Sequence, residues 1–319
     1  MWVWRDPQQV NFSNPVLTLG FFDGVHRGHA QLLGQLQTIA AKMGRPALAI
    51  SLWPHPRIVL GHDTSTFKLL NTLEYKTQLI ESLGVEAFLV LDFSLELAAL
   101  SPWDFLQSLY TTLHPSAILI GYDHRFGHKG EGDYTLLKQF ADEKGIGAYR
   151  GEPLAIDGIT VSSTLIRKML LDGDTEQAAR SLGRDYGFWG TVVYGKQIGR
   201  TIGFPTANVQ PTSGWQLIPS HGVYAGLCLI PSLSRVRPYA ALVNVGTRPT
   251  VDADGAVSIE AYIPALHTSI YNQSIFVSFR HKLRNELKFA TLDVLRQQIT
   301  KDLETLREIF PSEEEVPAL

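Results

Sequence analysis

Leu17-Thr18-Leu19-Gly20-Phe21-Phe22-Asp23-Gly24-Val25-His26-Arg27-Gly28-His29 decides how the first half of this chain is read. A short apolar run stops at glycine, two aromatics and an Asp-Gly follow, and His26-Arg27-Gly28-His29 leads into a helical pattern over residues 30–42. A strand that turns straight into a helix N-terminus makes an anion site. Unpaired backbone N–H groups point outward there, and the helix dipole favours negative charge. Two imidazoles at such a mouth can donate hydrogen bonds to phosphate, and Gly28 admits a nucleotide close to the backbone. A structural or solvated pair is the commoner fate of two nearby histidines. The strand before, the helix after and the Asp-Gly at the turn favour an ATP-phosphate site suited to nucleotidyl transfer.

Outward from this stretch, apolar strand patterns at residues 16–20, 47–52, 87–91, 117–120 and 147–150 alternate with helical patterns at 30–42, 72–83, 102–113 and 134–143. Continuous apolar strands with helices between them predict a parallel sheet covered on both faces. Ligands of such sheets bind beyond the carboxyl ends of the strands. Three further segments fall there. Ser51-Leu52-Trp53-Pro54-His55-Pro56 closes the second strand with a proline-stiffened loop that suits the wall of a flat ligand, although an ordinary stiff turn reads equally well. Gly121-Tyr122-Asp123-His124-Arg125-Phe126-Gly127 packs rings and charges into one loop after the fourth strand. Val161-Ser162-Ser163-Thr164-Leu165-Ile166-Arg167 opens a helix, with hydroxyls for capping or, together with Arg167, for a second phosphate site.

The chain has 319 residues, 45% hydrophobic and 18% charged, with a formal net charge of -3. Its length predicts about two domains, and its balance excludes the basic footprint of a nucleic-acid binder. A single cysteine, Cys228, excludes an intrachain disulfide and a multi-cysteine zinc site, and reads as a buried small hydrophobe. No signal-peptide pattern opens the chain and no apolar run is long enough to span a membrane, so a cytoplasmic protein is expected. Nothing in the sequence indicates an oligomer.

Near Gly183 the texture changes to short β-branched and aromatic runs, at residues 187–194, 222–230, 240–245, 258–263 and 275–281. These predict an antiparallel sheet or small barrel. A closing helix is expected from Thr291 to about Phe310, with Leu292, Leu295, Ile299, Leu303 and Leu306 at core spacing, followed by a loose acidic tail. Between the two textures, residues 171–185 read as a helix and link. Gly190-Thr191-Val192-Val193-Tyr194-Gly195-Lys196-Gln197 nearly matches a P-loop, but Gln197 replaces the hydroxyl that holds Mg²⁺ and no helix follows. Gly199-Arg200-Thr201-Ile202-Gly203-Phe204-Pro205-Thr206-Ala207-Asn208 is the better nucleotide site. Thr206 and Asn208 share one face of an extended segment, and their oxygens suit Mg²⁺. In Leu283-Arg284-Asn285-Glu286-Leu287-Lys288-Phe289, flanking cations would keep Glu286 ionised and able to accept a hydroxyl proton, with a surface ion-pair cluster as the alternative.

Together these segments resemble the bifunctional riboflavin kinase/FAD synthetase family, in order along nearly the whole chain. Gly222-Val223-Tyr224-Ala225 and Asn244-Val245-Gly246-Thr247-Arg248-Pro249-Thr250 add to the match. The resemblance implies an α/β N-terminal Rossmann-like nucleotidyltransferase domain, residues 1–184, and a C-terminal antiparallel six-stranded β-barrel kinase domain with a closing helix, residues 185–319. It implies phosphorylation of riboflavin to FMN from Mg·ATP, then adenylyl transfer to FMN giving FAD and pyrophosphate. In the first domain Gly20, Phe22, Asp23, Gly24, His26, His29, Arg125, Ser162, Ser163, Thr164 and Arg167 would bind ATP. His26 and His29 would be catalytic there, while Pro54, Pro56 and Asp123 would line the flavin side. In the second, Gly199, Gly203, Pro205, Thr206 and Asn208 would bind ATP, with Thr206 and Asn208 on Mg²⁺. Arg284 and Glu286 would meet the flavin, and Glu286 would be the general base.

The chain departs from the family pattern at Phe21, usually Asn, at His124, usually Phe, and over Glu260-Ala261-Tyr262-Ile263-Pro264-Ala265-Leu266, where an Asp-Phe pair is lost. The last departure predicts altered riboflavin handling. Two other readings follow from it: an FAD synthetase with weakened or absent kinase activity, and a flavin-binding regulatory protein. An aminoacyl-tRNA synthetase ranks last, because the companion Lys-Met-Ser-Lys-Ser loop and a basic tRNA surface are missing.

Overall fold

The computed structural model describes residues 1–61, 67–195, 198–233, 237–247 and 257–311. Lys196 and Gln197 of the rejected P-loop, Arg248, Pro249 and Thr250 of the second-half motif, and tail residues 312–319 lie outside the described residues. The chain forms two compact units, Met1–Ser162 and Ser163–Leu319.

In the first unit six strands make one parallel sheet: β1 (Trp2–Trp4), β2 (Val16–Leu19), β3 (Ala47–Trp53), β4 (Ala87–Asp92), β5 (Ala117–Ile120) and β6 (Gly147–Arg150), in the order β1-β4-β3-β2-β5-β6. The edge strand β1 escapes the sequence reading because three residues carry no period. Helices α1 (Arg27–Met43), α2 (Pro56–Val59), α3 (Leu73–Ser82), α4 (Leu95–Ala99), α5 (Pro102–Leu113) and α6 (Tyr134–Lys144) connect the strands, and a two-residue hairpin, β7 (Ala155–Ile156) and β8 (Ile159–Thr160), follows. All four residues of β2 are buried. Leu17 and Leu19 pack with Leu109 and Phe140 from α5 and α6, while Val16 packs with Leu33 and Ile80 from α1 and α3. Each fully buried leucine contributes about 2–3 kcal/mol through apolar burial. The chain proceeds from β2 towards β3 and β4 on one side, then crosses to β5 and β6 on the other. That reversal opens a crevice beyond the ends of β2 and β5, which are level because Leu19 pairs with both Ile50 and Ile120.

The second unit begins with α7 (Ser163–Asp172) and α8 (Thr175–Leu182), broken at Gly173 in the left-handed region with φ 84°. These helices belong to this unit: Ser220 N–H donates to Leu170 O (3.0 Å) and Thr175 Oγ1 to Arg280 O (2.9 Å). The strands are β9 (Tyr186–Val193), β10 (Thr206–Pro211), β11 (Gly222–Leu229), β12 (Tyr239–Thr247), β13 (Val257–Tyr262), β14 (Ser274–Phe279) and β15 (His281–Arg284), with one helical turn α9 (Ile198–Thr201) and the closing helix α10 (Leu292–Ile309). Antiparallel pairings β9–β10, β10–β13, β13–β12, β12–β11, β11–β14 and β14–β9 close a six-stranded barrel. The expected strand at 275–281 breaks at Arg280, after which β15 continues along β11. Val223, Ala225 and Leu227 alternate toward Leu303, Leu306 and Phe310 of α10. The expected helix stripe starts too early: Leu292 is 56% exposed, and the packed face of α10 is carried by Ile299, Leu303 and Leu306 further along. Cys228 is fully buried, and burial pushes its thiol up to about 12.

Candidate active sites

The first site lies where β2 ends. Gly20 N–H still bonds Ile50 O (3.0 Å), and a side chain at Gly20 would press on the Phe22 ring at 2.8 Å. The backbone then takes positive φ at Phe22 (49°), Gly24 (83°) and Val25 (39°). Two of these are bulky non-glycine residues, so the loop stores roughly 1–3 kcal/mol of strain at each. Tertiary contacts must hold it. Phe22 is fully buried, and the Asp23 carboxylate, 3% exposed, accepts Leu70 N–H at 3.1 and 3.3 Å. Gly24 N–H donates to Asn71 Oδ1 (2.9 Å). Lys76 Nζ donates to Phe21 O (2.6 Å).

His26 caps α1. Its Nδ1 accepts His29 N–H (3.2 Å), which places the ring proton on Nε2. The two imidazoles stack with centroids 3.6 Å apart, and His29 stands edge-on to Phe22 at 5.3 Å. Gly28 lies under His26, where a Cβ would sit 3.2 Å from the ring. The amides of Arg27 and Gly28 find no acceptor among the described residues, so the helix N-terminus offers two donors beside the imidazoles. The backbone of Val161 passes within 3.9 Å of the Gly28 position, which brings Ser162 to this mouth. Ser163, Thr164 and Arg167 lie in the first two turns of α7, at the start of the second unit.

Beside the mouth a cavity of about 280 Å³ opens over the ends of β2 and β3. Leu19, Phe21, Ile50, Pro56, His124 and Phe126 contribute to its walls. Arg125 also lines it and pairs with Asp133 (3.4 Å), while Pro54 and Asp123 are not among its lining residues. Phe21 stands between His55 (5.0 Å) and His124 (6.5 Å), so the two departures at 21 and 124 are neighbours. Burial pushes the His124 imidazole down to about 4, against the opposing pull of Asp123, and the neutral ring serves as an aromatic wall.

The second site is on the barrel. A cavity of about 490 Å³ is lined by Arg200, Pro205, Thr206, Ile263, His267 and Tyr271 among others. Gly199 in α9 backs Thr206, and Gly203 (φ 88°) turns the chain into β10. Thr206 and Asn208 share a face, as expected, and β13 brings a third group that the linear motif does not contain. Glu260 pairs directly with Asn208 and also with Asn244, and its carboxylate accepts the Thr206 hydroxyl at 3.1 Å. Gly195 leaves room for the Asn208 amide, which any side chain there would hit. Glu286 sits one step along the same face, its carboxylate against the bare α-carbon of Gly246. Arg284 makes a bidentate pair with Asp302 on α10, donating Nε–H to Oδ1 (3.1 Å) and Nη2–H to Oδ2 (2.8 Å). Asn71, Lys76 and Glu260 are therefore the groups that sequence reading missed. Each acts on a residue 47 to 55 positions away in the chain, and none sits in a recognisable local motif.

Residues 8–165 match the family model described as FAD synthetase, and residues 182–310 match the one described as riboflavin kinase. The bifunctional riboflavin kinase/FMN adenylyltransferase of Listeria monocytogenes is 35% identical over 302 residues, covering 93% of each chain. The protein of the same description from Escherichia coli strain K12 is 37% identical over 296 residues, covering 92% of each. A crystal structure described as a macrolide-efflux protein from Streptococcus pneumoniae superposes with a TM-score of 0.85 at 27% identity, covering 96% of this chain and 98% of that one. No helix among the described residues is long and apolar enough to cross a membrane. The chain belongs to the bifunctional riboflavin kinase/FMN adenylyltransferase family.

Proposed function

We propose that this chain makes FAD from riboflavin in two ATP-dependent steps, one in each unit. The observation that carries this reading is the presence, in one chain, of two built sites: a helix mouth with stacked imidazoles beside an apolar cavity, and a barrel face joining Thr206, Asn208 and Glu260.

In the first unit the phosphate oxygen of FMN attacks the α-phosphorus of ATP, and pyrophosphate leaves. His26 Nε2–H, His29 and the amides of Arg27 and Gly28 would stabilise the charge that builds on the phosphates. Ser162, which follows Val161 beside Gly28, is proposed to meet the departing pyrophosphate. The cavity between Pro56, Phe21 and His124 takes the flavin ring, with Pro54 and Asp123 at its border.

In the second unit the ribityl 5′-hydroxyl, giving its proton to a general base, attacks the γ-phosphorus of a second ATP, and ADP leaves. Two carboxylates compete for the role of general base. Glu286 lies near, but Glu260 is hydrogen-bonded into the Thr206–Asn208 pair, so geometry favours Glu260, with Glu286 beside the flavin. Because the Thr206 hydroxyl donates to Glu260, its lone pairs remain for a cation, and with the Asn208 oxygen it fits Mg²⁺ that keeps phosphate and water ligands. Bound with ATP, Mg²⁺ would neutralise charge on the β- and γ-phosphates. A cytoplasmic setting goes with these substrates.

FAD synthesis without riboflavin phosphorylation is the second reading. It is favoured by the altered segment after Glu260, which supplies Ala261, Ile263, Leu266 and Tyr271 to the barrel cavity. Chromatography of riboflavin, FMN and FAD after incubation with Mg·ATP separates the two. Riboflavin should pass through FMN to FAD. Conversion of FMN with riboflavin untouched would leave only the second reading.

A further inference from the structure

The strained loop at the head of the first site is held from behind by one short segment, Leu70 to Lys76. Three of its contacts fall on the loop: Leu70 N–H on the Asp23 carboxylate, Asn71 Oδ1 on Gly24 N–H, and Lys76 Nζ on Phe21 O. Lys76 is the unusual member. It is 2% exposed, and its ammonium also reaches Ser51 Oγ (3.4 Å) and lies 5.3 Å over the Trp53 ring. Ser51 donates to the same Phe21 carbonyl at 3.2 Å. A lysine buried this far loses its hydration, a cost that natural sequences accept mainly where a specific geometry needs the charge. The balancing carboxylate is Asp23, also buried, and burial still lowers the lysine to about 8. Phe21 faces the flavin-side cavity, and Asp23 leads into the His26–His29 mouth. Lys76 thus grips the chain at the junction of the two halves of the site.

We propose that Lys76 is a positioning residue for adenylyl transfer: by anchoring the Phe21 carbonyl together with Ser51, it holds the Phe21–Val25 loop in the strained form that sets FMN and ATP in line. It touches neither substrate and acts through the loop. The reading rests on the proposed adenylyl transfer in this unit.

The test measures FMN-to-FAD turnover of wild type, Lys76→Met, Lys76→Arg and Ser51→Ala in the full chain, with thermal unfolding of each and riboflavin phosphorylation by the same samples. Lys76→Met keeps the stem and removes the charge and the donors. The expected result is a fall in kcat of at least about tenfold with KM for FMN changed by less than about threefold, as befits lost alignment rather than lost binding. Lys76→Arg should recover part of that loss, and riboflavin phosphorylation should be unchanged in all. Folded Lys76→Met with wild-type kcat would overturn the proposal. If Lys76→Met does not fold, Ser51→Ala decides: it removes one of two donors to the same carbonyl, and a kcat fall of about threefold or more is expected. An unchanged kcat there would overturn the proposal. Absence of FAD formation by the wild type would instead overturn the functional reading, and this proposal with it.

Discussion

In the first unit the residues of the phosphate mouth lie within ten positions of one another, from Gly20 to His29, on a single strand–loop–helix passage. In the second unit, Thr206 and Glu260 meet across paired strands although 54 residues separate them. A parallel sheet with a switch point gathers loops at strand ends, so a local motif can make most of a site. A closed antiparallel barrel instead gathers residues by register, and a one-residue slip would turn the Thr206, Asn208 and Glu260 side chains to the other face. The first site is strained and must be clamped. The second is carried on regular strands and depends on pairing.

The largest effects should separate the units outright. His29→Ala removes one stacked imidazole at the helix mouth and is expected to lower FAD formation on the order of 10³-fold, while riboflavin phosphorylation persists, by steady-state assay of each step. Glu260→Gln should lower riboflavin phosphorylation by about 10²-fold or more and spare FAD formation from FMN. Glu286→Gln should cost less than about tenfold in the same assay, because a neighbour of the flavin adds positioning only. A larger loss for Glu286→Gln than for Glu260→Gln would exchange their roles.

A smaller effect concerns stability. Asp302→Ala leaves Arg284, 16% exposed, without its bidentate partner between β15 and α10. It should cost about 3 kcal/mol of unfolding free energy in the second unit by denaturant titration. FMN adenylylation should be unaffected. The smallest effect is pH-dependent. His124 titrates near 4 in the folded chain against 6.5 when free, so the unfolded chain takes up its proton first. Its contribution is fully present above pH 6.5 and is lost as pH falls towards 4. His124→Phe should flatten that part of the stability–pH curve.

Much of this was legible in the sequence, and the division follows the same contrast. The covered parallel sheet could be read from the apolar runs at β2 to β5, because strands buried on both faces have no polar alternation to confuse them. The His26–His29 mouth was readable because its strand, turn and helix are contiguous. Asn71 and Lys76 were not, since a lysine on the amphipathic α3 looks like a solvated charge until tertiary structure buries it. Glu260 was hidden for a related reason: its worth comes from β13 pairing with β10, which no spacing rule along the chain reveals. Arg284 was expected beside the flavin only from the family resemblance, and its partner Asp302, on a helix 18 residues further on, lies in no local motif with it.

The measurement that bears most directly on a chain with two separate sites is a time course of riboflavin, FMN and FAD with Mg·ATP, run on His29→Ala, on Glu260→Gln and on their mixture. His29→Ala should accumulate FMN, Glu260→Gln should leave riboflavin untouched, and the mixture should regain FAD. Loss of both steps in either folded variant, or a mixture that makes no FAD, would contradict the two-site assignment.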